Sequence, residues 1–123
     1  MKIQRFEDID AWRAARGLVQ QVYLVSAEGE LVKDFGLRDQ MRRAAVSAMA
    51  NIAEGFDSQS DGEFIKFLTY ARRSASEVQS HLYVALDQRY ITQQEFDNLY
   101  DRAVQVKNLV SGFIRYLRGD STS

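Results

Sequence analysis

SDGEFIKFLTYARRSASEVQSHLYVALDQRYITQQEFDNLYDRAVQVKNLVSGFIRYLR, residues 60–118, decides the fold. Phe64, Leu68, Ala71, Ala75, Val78, Leu82 and Ala85 recur at alternating steps of four and three, as do Phe96, Leu99, Ala103, Val106, Val110, Phe113 and Leu117. That spacing returns every apolar side chain to one face of an α-helix. Each run opens on a capping-box pattern, Ser60 with Glu63 and Thr92 with Glu95, in which hydroxyl and carboxylate satisfy backbone N–H groups that the first turn leaves free. Ile91 and Phe96 stand where a hydrophobic staple closes the turn. The pattern predicts helices over about 61–88 and 93–118, and the short link between them makes an antiparallel hairpin.

Working back toward the N-terminus, Asp8 is placed to cap a helix presenting Ile9, Trp12, Ala15, Val19, Val22 and Tyr23, weakened at Gly17 and stopped by Gly29. A second helix opens around Leu37 and closes at Gly55, with Leu37, Met41, Ala44, Ala48 and Ile52 on its inner side. Proline is absent and no stretch alternates with period two, so nothing argues for strands. The expected architecture is all-α: an antiparallel four-helix bundle forming one domain over 1–118, with a short flexible tail at 119–123.

Composition bounds the function. The chain has 123 residues, 46% apolar and 27% charged, the balance of a globular domain and not of a disordered one. Sixteen Lys and Arg against seventeen Asp and Glu leave a net charge of -1, so any contact with nucleic acid must come from a local patch. The absence of cysteine excludes disulfides, thiol catalysis and Cys-based metal centres, and a single histidine leaves little other metal chemistry. No apolar run reaches the ~18 residues of a membrane span, and the first residues lack the apolar core of a signal peptide. A cytoplasmic protein without membrane contact or cofactor is expected.

Helix two carries a surplus. Within AAVSAMANIA, residues 44–53, only Ser47 and Asn51 are polar, and Ala45, Val46, Ala50, Ile52 and Ala53 spread around much of the circumference. A helix of that kind is covered on more than one side. Either copies of the chain associate there or the 26–36 connection folds over it. The first reading makes Val46, Ala50 and Ala53, with Leu18 of helix one and Ile65 and Tyr83 of helix three, candidate oligomer contacts. Asn51 and Glu54 are candidate buried polar groups with a structural role.

Two sets of residues could carry chemistry. His81 lies one turn after Glu77, but acid-base or metal work needs more converging groups, and neither HExxH nor a repeated Glu-x-x-His is present. No catalytic or metal-binding residue is assigned. Arginine outnumbers lysine twelve to four and clusters as Arg42 with Arg43, Arg72 with Arg73, and Arg115 with Arg118. Planar guanidinium groups suit phosphate and interface carboxylates alike, so these six are candidate nucleic-acid contacts. Asp39 before Arg43 and Glu77 after Arg73 offer ordinary helix-surface ion pairs instead. Glycine-rich phosphate loops are absent.

GLRDQMRRAAVSAMANIAEGF, residues 36–56, resembles Gly-Leu-x-x-Gln-x-Arg-Arg-Ala-x-x-Ser followed by Asn-Ile-Ala-Glu-Gly in a family of small bacterial four-helix-bundle proteins first noticed in intervening sequences of 23S ribosomal RNA genes. Phe6-Glu7-Asp8-Ile9 with Trp12, Glu63-Phe64 with Phe67-Leu68, and Tyr90-Ile91-Thr92 extend the similarity over nearly the whole chain. Ala48-Met49-Ala50 departs from the Ile-Pro of many relatives. The resemblance implies a bundle that assembles with itself, in relatives as a five-membered ring, and an association with RNA or DNA. The leading expectation is a non-catalytic homopentamer with arginine patches for nucleic acid. A protein-interaction scaffold is the alternative, and an enzyme using Glu54, His81 and Glu77 a remote one.

Overall fold

The computed structural model describes residues 3–119; the last four residues of the expected tail lie outside the described residues. Four helices follow one another: α1 (Asp10–Ser26), α2 (Phe35–Phe56), α3 (Asp61–Asp87) and α4 (Gln93–Leu117), with single 3-10 turns at Phe6–Asp8 and Leu31–Lys33. α1 packs on α2, α2 on α3, α3 on α4 and α4 back on α1, closing a four-membered ring of neighbours. Ser47 meets Ser74 while Gly55 meets Phe64, and Arg72 meets Ser111 while Tyr83 meets Tyr100, so successive helices run antiparallel.

The core stripes of α3 and α4 form as their spacing dictates. All seven predicted α3 positions are buried, and on α4 Ile114 takes the buried place that the pattern gives to Phe113, which is half-buried beside it. Thr92 and Glu95 make the complete capping box, whereas at α3 the Glu63 carboxylate reaches the N–H of Gln59, one residue before the cap.

The first half of the chain corrects the sequence reading in three places. Asp8 does not cap α1. Its carboxylate accepts the N–H groups of Gln4 and Arg5 at 3.0 and 3.2 Å and closes the preceding 3-10 turn, a pairing that holds its carboxyl below the usual range. α2 starts two residues earlier than expected because Asp34 is its cap, accepting the Leu37 N–H at 3.2 Å. The inner row of α1 runs through Ala11, Trp12, Ala15, Leu18, Val22 and Ser26, leaving Tyr23 exposed. Leu18, expected at an oligomer contact, is therefore wholly buried in the monomer, because α1 is covered by both α2 and α4.

Asp34 also ties the two ends of the chain's hairpins together. Its second carboxylate oxygen accepts the hydroxyl of Tyr90, in the turn between α3 and α4, at 3.1 Å. That bond, more than desolvation, raises the Tyr90 pKa. A raised folded-state value means that the contribution is present below the unfolded value of about 10 and is lost as pH climbs through the folded one. Denaturant titrations between pH 8 and 11 should show the wild type losing stability more steeply than Tyr90→Phe; parallel curves would contradict the linkage.

Candidate nucleic-acid interface

α2 lies between α1 and α3, which cover Ala45, Ala48 and Ile52 completely. The surplus predicted for this helix reduces to one outward row: Val46, 40% exposed, Ala50, exposed, and Ala53, half-buried. Glu54 follows Ala50 by one turn on the same outward side and is exposed, contrary to its assignment as a buried group. Asn51, also assigned as buried, is half-buried; it donates to the Ser47 carbonyl at 2.9 Å and hydroxyl at 3.0 Å, while that hydroxyl meets Ser74 of α3 at 2.9 Å.

The arginine doublets part company. Arg42 is already engaged: its Nε donates to Ser26 Oγ at 2.8 Å and its guanidinium lies 4.5 Å from the centre of the Tyr23 ring. Arg43 is exposed without its expected partner, because Asp39 accepts from Arg38 at 2.9 Å instead. Likewise Glu77 lies 3.4 Å from His81 Nε2 and leaves Arg73 unpaired. Glu54 does not join them. The α2–α3 register set by Ser47 with Ser74 places it near Phe67, roughly 20 Å along the bundle from His81 at 1.5 Å per residue. Among the described residues no three His, Asp or Glu converge as metal ligands, and no helix is long and apolar enough to cross a membrane.

Of the remaining candidates, Arg72, Arg115 and Arg118 lie along the outer seam between α3 and α4, and Arg73 is exposed beside Arg72 on α3. Arg72 donates to Ser111 Oγ at 3.1 Å, and one turn beyond Ser111 stands Arg115, with Arg118 near the same row. Lys107 Nζ donates to the buried Gln79 Oε1 at 3.0 Å across the same seam. Residues 64–76 of α3 and 107–119 of α4, set opposite each other by the Arg72–Ser111 register, hold six of the sixteen cations and none of the seventeen acids. Arg102, farther back on α4, turns away toward Gly17 of α1 and buries its Nε without a partner. The six, Lys66, Arg72, Arg73, Lys107, Arg115 and Arg118, form no ion pair among the described residues, but Lys66 leans over the Phe67 ring at 5.5 Å, on the side of α3 that meets Gly55 of α2. A face of this kind, inside a chain of net charge -1, concentrates positive potential that the whole-molecule charge conceals.

Lys107 is not among the expected contacts. Its signal is in the sequence, as two acid-free windows, but it gains meaning once the hairpin register puts those windows side by side. Of the expected contacts, Arg72, Arg73, Arg115 and Arg118 belong to this face, and Arg42 and Arg43 to the opposite side of α2.

A family model described as 23S rRNA-intervening sequence protein matches residues 7–112. The crystal structure of a protein of unknown function from the S23 ribosomal protein family of Bacteroides thetaiotaomicron is similar in fold, with a TM-score of 0.78 and 22% identity over 85% of this chain and 98% of that one. No curated protein matches the chain.

Proposed function

Since the chain belongs to the 23S rRNA-intervening sequence protein family, we propose that it is a non-catalytic, self-associating cytoplasmic scaffold that holds nucleic acid against the outer α3–α4 face. The observation that carries this reading is the acid-free stretch of the α3–α4 hairpin whose cations, Arg72, Lys107, Arg115 and Arg118 along the seam with Arg73 exposed beside Arg72, form no ion pair among the described residues. Phosphates bind such a surface mainly by releasing counterions, without regard to sequence. Self-association, as the five-membered ring that the family resemblance implies, would multiply a modest charge per subunit into useful avidity. The outward row Val46, Ala50 and half-buried Ala53 is the surface offered for it. A protein partner is the second reading, favoured by the exposed Tyr23, Leu24 and Val46 beside Arg42.

Titration of a structured RNA at 50 and 200 mM salt separates the two. Arg72, Arg73, Arg115 and Arg118 changed together to Ala should abolish binding at low salt. Singly, each substitution that leaves one phosphate without its cation should reduce the salt slope by about 0.9 on duplex segments. The pair Arg42→Ala and Arg43→Ala should leave the slope as it was. Absence of binding by the wild type at low salt, or equal weakening in both variants, would overturn the assignment of the face.

A further inference from the structure

We infer that the ligand of the α3–α4 face is a single-stranded nucleic acid, with an unpaired base stacked on Tyr83 and the adjoining phosphates on Lys107, Arg72 and Arg115; this rests on the reading of that face as a phosphate surface. The cations do not occupy the whole seam. Tyr83, Gln79, Arg72 and Ile65 are spaced by four, seven and seven residues on α3, which keeps them in one row, and Tyr100, Lys107, Ser111 and Arg118 form the facing row on α4. At one end of this double row the polar ties give way to aromatic rings. Tyr83, 51% exposed, stands edge-to-face on Phe96 at 4.9 Å and on Tyr100 at 6.0 Å, and Phe96 and Tyr100 are themselves stacked at 5.4 Å.

Phe96 is a core residue, so the half-exposed ring of Tyr83 is braced by it and by Tyr100 and has little freedom left to lose. Lys107 and Gln79 lie one turn from it, roughly 6 Å along α3, and Arg72 roughly 16 Å. From Tyr83 to Ile65 the row is about 27 Å long. That is room for roughly four nucleotides, the lower end of the range for single-strand-binding domains.

Charge at the aromatic end chooses between single strand and duplex. Asp87, Asp97 and Asp101 are exposed around Tyr83 and Tyr100. They repel phosphate but not a neutral base. A duplex laid along the seam would bring its dense phosphates onto these carboxylates and could offer Tyr83 no open base face. A single strand can turn its base to the ring and keep its phosphates at the cationic end.

Fluorescence anisotropy of labelled twelve-residue oligouridine, oligothymidine and a twelve-base-pair duplex, with the full chain at 50 mM salt, tests this. The single strands should bind at least tenfold tighter than the duplex, the two strand types showing whether the 2′-hydroxyl contributes. Tyr83→Ala should weaken single-strand binding about tenfold and leave the salt slope alone, because stacking carries no counterion. Tyr83→Leu, which keeps apolar cover over Phe96, should weaken it equally, and Tyr83→Phe should restore it. Arg72→Ala should instead reduce the slope by about 0.7. Duplex bound as tightly as single strand, or Tyr83→Leu binding like the wild type, would overturn the inference while leaving the phosphate face standing. Failure of every oligonucleotide to bind would overturn both.

Discussion

Gly55→Ala is expected to destabilise the bundle by about 2 kcal/mol, the middle of the range for overpacking a filled core, and to lower Tm by roughly 8 °C for a domain of this size. A Cβ at this position would sit 2.7 Å from Cδ1 of Phe64 and 3.0 Å from Cβ of Phe67. Neither neighbour yields easily. The Phe64 ring is held edge-to-face by Phe56 at 6.4 Å and against Phe113 at 5.2 Å, and the Phe67 Cβ is fixed to the backbone of α3. The added methyl must therefore push α2 away from α3 along the most intimate contact in the bundle. The gain of about 1 kcal/mol that alanine brings to a helix interior opposes this and is smaller near the last turn. Gly62→Ala is the matched control: its nearest neighbour would be 3.9 Å away, so its stability should equal or exceed the wild type. Thermal melts of both variants decide the matter, and equal melting of Gly55→Ala and wild type would show that α2 and α3 separate without penalty.

Gly55 also shows how far the sequence could be read. Placed after an apolar stripe, it has the look of a helix stop, yet α2 continues through it to Phe56 and its backbone does not adopt positive φ. Its lack of a side chain serves a close approach by α3, a relation between residues nine positions apart that periodicity does not encode. The four helices are legible because their apolar steps and caps are local. Asp34 escapes notice as a cap because Gly36 and Leu37 look like the beginning of the helix, and the true N-terminus is marked by one carboxylate shared with distant Tyr90. For the candidate site the same division holds. Arginine doublets are conspicuous in sequence, but whether Arg42 is free or spent on Ser26 and Tyr23 depends on the angle between α1 and α2. Lys107 and Tyr83, plain residues in sequence, become part of a face when α3 meets α4.

Leu18→Ala is expected to cost about 3 kcal/mol of unfolding free energy, since a wholly buried leucine loses both its transfer energy and the packing around the cavity it leaves. This destabilisation should be the same at every protein concentration, because Leu18 is enclosed by helices of its own chain. Val46→Ala removes a side chain that is 40% exposed on the outward row of α2 and should cost less than about 1 kcal/mol. The two positions thus separate folding from assembly. Val46→Glu places a charge where the proposed subunit contact would desolvate it, so sedimentation velocity should show a smaller species with an unchanged helical spectrum, while Leu18→Ala sediments as the wild type below its melting temperature. A wild type that sediments as a 14.1 kDa particle at micromolar concentration would remove the contact altogether. The surplus on α2 would then be reduced to three small side chains on its outward row, and the cationic face would have to act with the five charges of one subunit alone.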